Sequence, residues 1–270
     1  MRPVRLALLT LLTACATSLV DGGPVDPTAA PVGYDDTPRL PDGWRVHDVA
    51  RPVPPPASAR NTRDLLRPPP PGAVVLYDGT GLDAWLAEDG GPARWMPVGD
   101  GSLQVNGSGS IRTRQTFGDC ELHLEWMTPP VAQGESQARG NSGVFLMGRY
   151  EVQILDSWRN TTYADGQAAA LYGQRPPDVN ASREPGCWQS YDIRFRAPRF
   201  AADGALLEPA RATVRHNGVL VHDDVAFVGG TRHREVASYA AHEAQAPLML
   251  QDHGDPLRFR NVWIRPLPAR

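Results

Sequence analysis

Hydrophobic and polar residues alternate along this chain in short runs broken by turn residues. Val74-Val75-Leu76-Tyr77 is an apolar run stopped by Asp78-Gly79, and Ser102-Leu103-Gln104-Val105 stops at Asn106-Gly107. Cys120-Glu121-Leu122-His123-Leu124-Glu125-Trp126 alternates throughout, as do Tyr150-Glu151-Val152-Gln153-Ile154 and Tyr191-Asp192-Ile193-Arg194-Phe195-Arg196. A period of two sends successive side chains to opposite faces of a strand, so each segment buries one face and presents the other. Asn217-Gly218, between apolar runs at 212–216 and 219–222, is a two-residue hairpin turn. Residues 247–251 and 259–264 supply the last strands. No segment sustains a 3.6-residue apolar period, and the best helical candidate is the alanine-rich run at 167–171. Short antiparallel strands over about 200 residues predict an all-β fold, a jelly-roll β-sandwich of two antiparallel sheets.

The polar faces carry the candidate chemistry. Glu121, His123 and Glu125 share one strand face, and Glu151 lies beside Gln153 on another. Gln251 and His253 share one side of Gln251-Asp252-His253-Gly254-Asp255, directly after the apolar run 248–250. A carboxylate beside a carboxamide on a half-buried strand suits the wall of a sugar-binding cleft; an ordinary solvated sheet face shows the same alternation. If these strands are neighbours, their polar faces form a hollow bearing carboxylates, an imidazole and carboxamides. That set is suited to acid–base work and to holding one divalent cation. Gly-rich phosphate loops, His-Glu-x-x-His motifs and Gly-x-Ser-x-Gly elbows are absent from the sequence.

Composition sharpens the picture. The 270 residues include 26 Gly and 27 Pro, favouring strands and turns over long helices, and the net charge is -3. Charges of both signs are interspersed, with no basic stripe for nucleic acid and no polybasic patch for a membrane surface. Arg2 and Arg5 precede the apolar run 6–12, too short to span a bilayer and typical of a signal-peptide core. Leu12-Thr13-Ala14-Cys15 resembles the bacterial lipoprotein box, which makes residues 1–14 the signal peptide and Cys15 the lipid-bearing residue. The expected location is an exported lipoprotein facing the periplasm or cell surface, touching the membrane through that lipid alone. Residues 15–33 read as a flexible tether. Residues 34–71 are proline-dense yet carry Trp44-Arg45-Val46-His47-Asp48-Val49, and read as an extended arm lying on a domain that spans 72–270. In an oxidising compartment Cys120 and Cys187 can pair, closing a loop of roughly 65 residues for ~4 kcal/mol, or stand as two separately buried thiols.

The order of motifs resembles the 3-keto-disaccharide hydrolase family. Leu76-Tyr77-Asp78-Gly79 with Trp85 is similar to that family's opening. It is followed by 121–126, Gly140-Asn141-Ser142-Gly143-Val144-Phe145, 150–156, Pro176-Pro177-Asp178-Val179-Asn180-Ala181, and Pro185-Gly186-Cys187-Trp188. His216-Asn217-Gly218, 247–254 and 258–267 complete the match. The arm around residues 44–56 resembles an extension ahead of this domain in some exported members. Cys120 and Cys187 depart from the family pattern, which strengthens their pairing.

The resemblance implies a concanavalin-like sandwich acting on 3-keto-glycosides or 3-keto-disaccharides. A ketone at C3 acidifies the C2 proton; a base removes it, the C1 oxygen leaves by β-elimination, and added water gives net hydrolysis. On this basis His253 is the expected general base, with Glu151 as alternative base or, with His253, as ligand to one divalent metal. Glu125, Gln153 and Gln251 would bind sugar hydroxyls or complete a metal shell, and Asn141 would hydrogen-bond the sugar. Arg260 would polarise the ketone, and Asp252 would bind substrate, cap a turn or orient His253. The rival expectation is a non-catalytic, surface-tethered carbohydrate-binding module on the same fold.

Overall fold

The structure, a computed structural model, describes residues 31–57, 65–236 and 238–268. Among these residues the strands, in chain order, are β1 (Val74–Tyr77), β2 (Trp85–Ala87), β3 (Met96–Pro97), β4 (Leu103–Gln104), β5 (Ile111–Phe117), β6 (Cys120–Met127), β7 (Ser142–Leu146) and β8 (Tyr150–Ile154). There follow β9 (Gln189–Arg196), β10 (Arg199–Phe200), β11 (Leu206–Glu208), β12 (Arg211–His216), β13 (Val219–Ala226), β14 (Ala246–Leu250) and β15 (Arg258–Pro266). One sheet runs β13-β12-β9-β6-β15-β4-β3, with β1 also paired to β15; the other runs β2-β5-β14-β7-β8. All their pairings are antiparallel.

The alternation read from the sequence decides which residues lie between the sheets. Leu122, Leu124 and Trp126 of β6, with Tyr191, Ile193 and Phe195 of β9, form the floor of the core. Val144, Val152, Ile154 and Leu250 cover it from the second sheet. Trp126 packs edge-on to Tyr191, with ring centroids 5.3 Å apart, and truncating such a ring costs about 3–5 kcal/mol. The β12–β13 hairpin turns at Asn217 (φ 51°) and Gly218 (φ 77°), both left-handed, as a two-residue primed turn requires.

Residues 167–171 do not form a helix. Ala168, Ala169, Ala170 and Leu171 are all buried, and the segment bonds to the edge of β8 instead. Ala169 N–H donates to Gln153 O (2.8 Å) and Gln153 N–H to Ala170 O (2.9 Å). Alanine's small side chain allows that close approach, and tertiary hydrogen bonding overrides helix propensity.

Residues 31–57 lie against the sandwich. Pro56 bridges Asn180, and Val46 and His47 are wholly buried. Residues 65–67 cross the outer face of the large sheet. There the Leu66 N–H donates to the Glu125 carboxylate, Arg67 pairs with Asp192 at 2.7 Å, and Asn261 and Trp263 donate to Arg67 O. Beneath them His123 Nδ1 lies 2.9 Å from Asp192. Burial alone would lower the His123 pKa, but hydrogen bonds to Asp192 and Glu125 outweigh it and raise it.

Cys120 is a free, buried thiol, so the Cys120–Cys187 bridge does not form. Register gives the reason. Cys120 faces Phe195 at one end of the β6–β9 pair, whereas Cys187 lies beyond Gln189, which faces Trp126 at the other. At ~3.3 Å per residue the two lie far beyond the roughly 7 Å that a disulfide spans. Among the described residues no helix is long and apolar enough to cross a membrane. The expected signal peptide, Cys15 and the expected tether up to residue 30 lie outside the described residues.

Candidate active site

Glu151 and Gln153 point away from the core, off the outer face of the five-stranded sheet. A cavity of about 680 Å³ opens over that face, within the range of small-molecule sites. Glu151, Gln153, Asn141, Gln251 and His253 all line it, brought together from β8, the start of β7 and the segment after β14. Adjacency of β14, β7 and β8 makes this convergence possible.

Glu151 is only 4% exposed, and among the described residues nothing hydrogen-bonds to its carboxyl oxygens. Burial pushes its pKa up to about 8. Its backbone N–H is held by Thr231 Oγ1 at 3.0 Å. A carboxyl that ionises near neutrality inside a shielded hollow is suited to accepting and returning protons. His253, by contrast, stands exposed at the rim and, like the Gln251 side chain, makes no hydrogen bond among the described residues. Glu151 is thus the shielded group of the two and His253 the exposed one.

The carboxamides are organised by a residue that strand alternation does not reveal. Gln137, in the 3-10 turn Ser136–Ala138, accepts from Gln153 Nε2 (2.9 Å) and donates to Thr162 Oγ1 (2.8 Å) and Gly166 O (3.0 Å). Its carbonyl accepts from Asn141 Nδ2 at 2.7 Å. Phe145, Tyr163, Tyr172 and His233 complete much of the wall, together with Val32, Gly33 and Tyr34 from the N-terminal arm. The Tyr163 and Tyr172 hydroxyls lie 2.9 Å apart, and Tyr172 reaches His233 Nδ1 at 3.1 Å. Burial raises the Tyr172 pKa, and the charge of Glu151 adds to the shift.

Three expected site residues lie elsewhere. Glu125 and Arg260 pair at 2.7 Å on the outer face of the eight-stranded sheet, across the sandwich from the cavity, where Arg260 stacks on Trp188 at 4.0 Å. Asp252 does not line the cavity; its carboxylate caps the backbone N–H of Gly109 (3.1 Å) and Gly254 (2.9 Å). Among the described residues no group of three or more His, Cys, Asp or Glu side chains is placed to hold an ion. The side chains expected to hold one, Glu151 and His253 with Gln153 and Gln251, share the cavity wall.

A two-sheet β-sandwich with a polar, tyrosine-walled cavity on one outer face is a scaffold for carbohydrate chemistry. Residues 72–265 match the model of the 3-keto-alpha-glucoside-1,2-lyase-like domain, and the chain belongs to that family. A crystal structure from Parabacteroides distasonis, described as a "putative glycosyl hydrolase", is 44% identical, covering 73% of this chain and 85% of that one, with a TM-score of 0.71. A second protein of that organism, described in the same words, shares the fold at 19% identity and a TM-score of 0.54, over 73% of this chain and 94% of its own. A search of curated proteins finds no match.

Proposed function

We propose that this protein cleaves 3-keto-glycosides, with Glu151 as the general base that removes the C2 proton. The observation that carries this reading is the buried Glu151 carboxyl, free of protein partners and raised to about 8, in a cavity sized for sugar. Such a group is basic enough to take an α-keto proton, and its ionised fraction grows from neutral to mildly alkaline pH. Departure of the C1 oxygen then gives the enone, and the proton on Glu151 can pass to the leaving oxygen. The Tyr172 hydroxyl, beside Glu151, serves as hydrogen-bond donor to the oxyanion formed at C3. Asn141, Gln153 and Gln251 bind ring hydroxyls, and His253 at the rim meets the outer part of the substrate. The family match and the 44% identical relative support a carbohydrate substrate.

The test is release of aglycone from a 3-keto-glycoside, with the unoxidised glycoside as control. Wild type releases it from the keto substrate only, and Glu151→Gln lowers kcat about 10³-fold. Full activity in Glu151→Gln places the base elsewhere, and equal activity on both substrates removes the keto requirement. Binding without turnover would favour the carbohydrate-binding module, a reading to which the tyrosine-rich wall lends support.

The reading includes export and anchoring through a lipid on Cys15, supported by the Leu12-Thr13-Ala14-Cys15 sequence. Labelled fatty acid should appear on the wild type and not on Cys15→Ser.

A further inference from the structure

The family match begins at residue 72, yet Val32, Gly33 and Tyr34 line the same cavity as Glu151. The site is therefore built partly from a segment outside the family domain. We propose that Tyr34, fixed by a His47–Asp165 clamp, forms the subsite for the leaving group and sets the protein's preference for longer saccharides. This rests on the cavity being a glycoside-cleavage site.

The cavity has two chemically different ends. Glu151, Gln153 and Gln251 make a polar end. From there Tyr172, whose N–H donates to Glu151 O at 3.3 Å, begins a succession of rings. Tyr172 and Tyr163 have centroids 6.4 Å apart, and Tyr163 and Tyr34 6.3 Å apart. Tyrosine faces pack against the C–H faces of pyranose rings while their hydroxyls stay available for hydrogen bonds. A saccharide with its reacting ring at Glu151 would extend its leaving portion along these rings toward Tyr34.

Tyr34 is held as a designed wall would be. Its ring carries the Arg234 guanidinium 3.9 Å from its centroid, and Arg234 is itself paired with Asp36 at 2.9 Å. Its N–H donates to His47 O at 2.8 Å, and its carbonyl accepts from Val49 N–H at 3.2 Å. Gly33 has no room for a side chain, since a Cβ there would lie 2.6 Å from His47 O.

His47 anchors this arrangement. It is wholly buried in a left-handed backbone conformation (φ 55°), and both its N–H (2.9 Å) and its Nδ1 (3.0 Å) engage the equally buried Asp165. A non-glycine residue persists in that conformation where its surroundings over-determine it, and two contacts to one carboxylate do so. The imidazole packs 4.0 Å from Tyr163 and 4.9 Å from Tyr172, behind two rings of the wall. The clamp thus positions arm and aromatic wall together.

The test uses the full-length protein with two substrates, a 3-keto-disaccharide and methyl 3-keto-glucoside, whose methoxide is too small to reach Tyr34. Tyr34→Ala should lower the ratio of kcat/KM, disaccharide over methyl glycoside, about tenfold, mainly through KM for the disaccharide. Arg234→Ala, which frees the Tyr34 ring without touching the core, should move the ratio the same way, about threefold. An unchanged ratio in both variants, or equal losses on both substrates, overturns the proposal. If wild type cleaves neither substrate, the cleavage reading fails instead. The subsite is then judged by calorimetry of the unoxidised disaccharide against glucose, where an unchanged affinity ratio in Tyr34→Ala overturns it.

Discussion

The carboxyl of Glu151 fills space that any side chain at Gly143 would take. A Cβ on Gly143 would lie 2.4 Å from Glu151 Oε1 and 2.9 Å from Phe145 Cε2. In the β7–β8 register Gly143 pairs with Gln153 and Phe145 with Glu151. Gly143 thus lies diagonally from Glu151 on the same face, and the strand pair itself shapes the pocket for this carboxyl. Gly143→Ala should therefore turn the carboxyl aside and lower kcat about 10²-fold while the melting temperature falls only slightly, since flexible side-chain ends rather than backbone must give way. Steady-state kinetics beside a thermal melt checks this; unchanged kcat would mean the carboxyl's position does not matter.

The raised pKa of Glu151 has consequences for activity and stability that run in opposite directions. As a base it must be ionised, so kcat/KM should climb about tenfold per pH unit up to about 8 and then level off. Stability moves the other way. The folded state keeps this proton to higher pH than the unfolded chain, so the contribution is fully present below the unfolded pKa of about 4.5 and is lost as pH rises through about 8. Glu151→Gln should abolish the activity profile and raise the unfolding free energy at pH 9 by a few kcal/mol, on the scale of about 1.4 kcal/mol per pH unit of displacement. Denaturant melts at pH 5 and pH 9 read the difference directly.

Glu125 should affect folding and leave turnover intact. It is wholly buried, bonded to Arg260, Asn261 and the Leu66 N–H, and stands across the sandwich from the cavity. Removing its charge leaves Arg260 without its carboxylate partner, at a cost of about 3 kcal/mol. Glu125→Gln should lower the denaturation midpoint with kcat within twofold of wild type. A large loss of kcat at unchanged stability would return Glu125 to the site.

Cys120 should be chemically silent until the protein unfolds. Burial pushes its thiol pKa up to about 12, so almost no thiolate exists near neutrality. Alkylation followed by peptide mass analysis should find Cys120 unlabelled in the native protein and labelled in denaturant without any reductant.

The fold was legible because β-alternation is a local signal that strands such as β6 and β9 obey. Leu122, Leu124 and Trp126 face inward as their spacing demands, and Asn217-Gly218 turns where it should. Glu151, Gln153 and Gln251 were legible for the same reason. Alternation says which face of a strand is polar, but not which sheet that strand joins or what covers the face. Glu125 and Glu151 look alike in sequence, yet one is sealed beneath residues 65–67 and the other borders a cavity. Gln137, Tyr163, Tyr172 and the arm's Tyr34 left no periodic trace, because loops and extended segments brought them there. The alanine run at 167–171 misled by propensity, since the free edge of β8 offered its backbone better partners.

The last strand of the chain has a further meaning. β15 sits inside the large sheet, paired with β6 on one side and with β4 and β1 on the other. The centre of that sheet is thus missing until β15, which follows every other strand of the sheet, has been made, and its contacts join residues far apart in sequence, which slows folding. The large sheet of such a chain can close only when its latest strand slots in between partners made long before it.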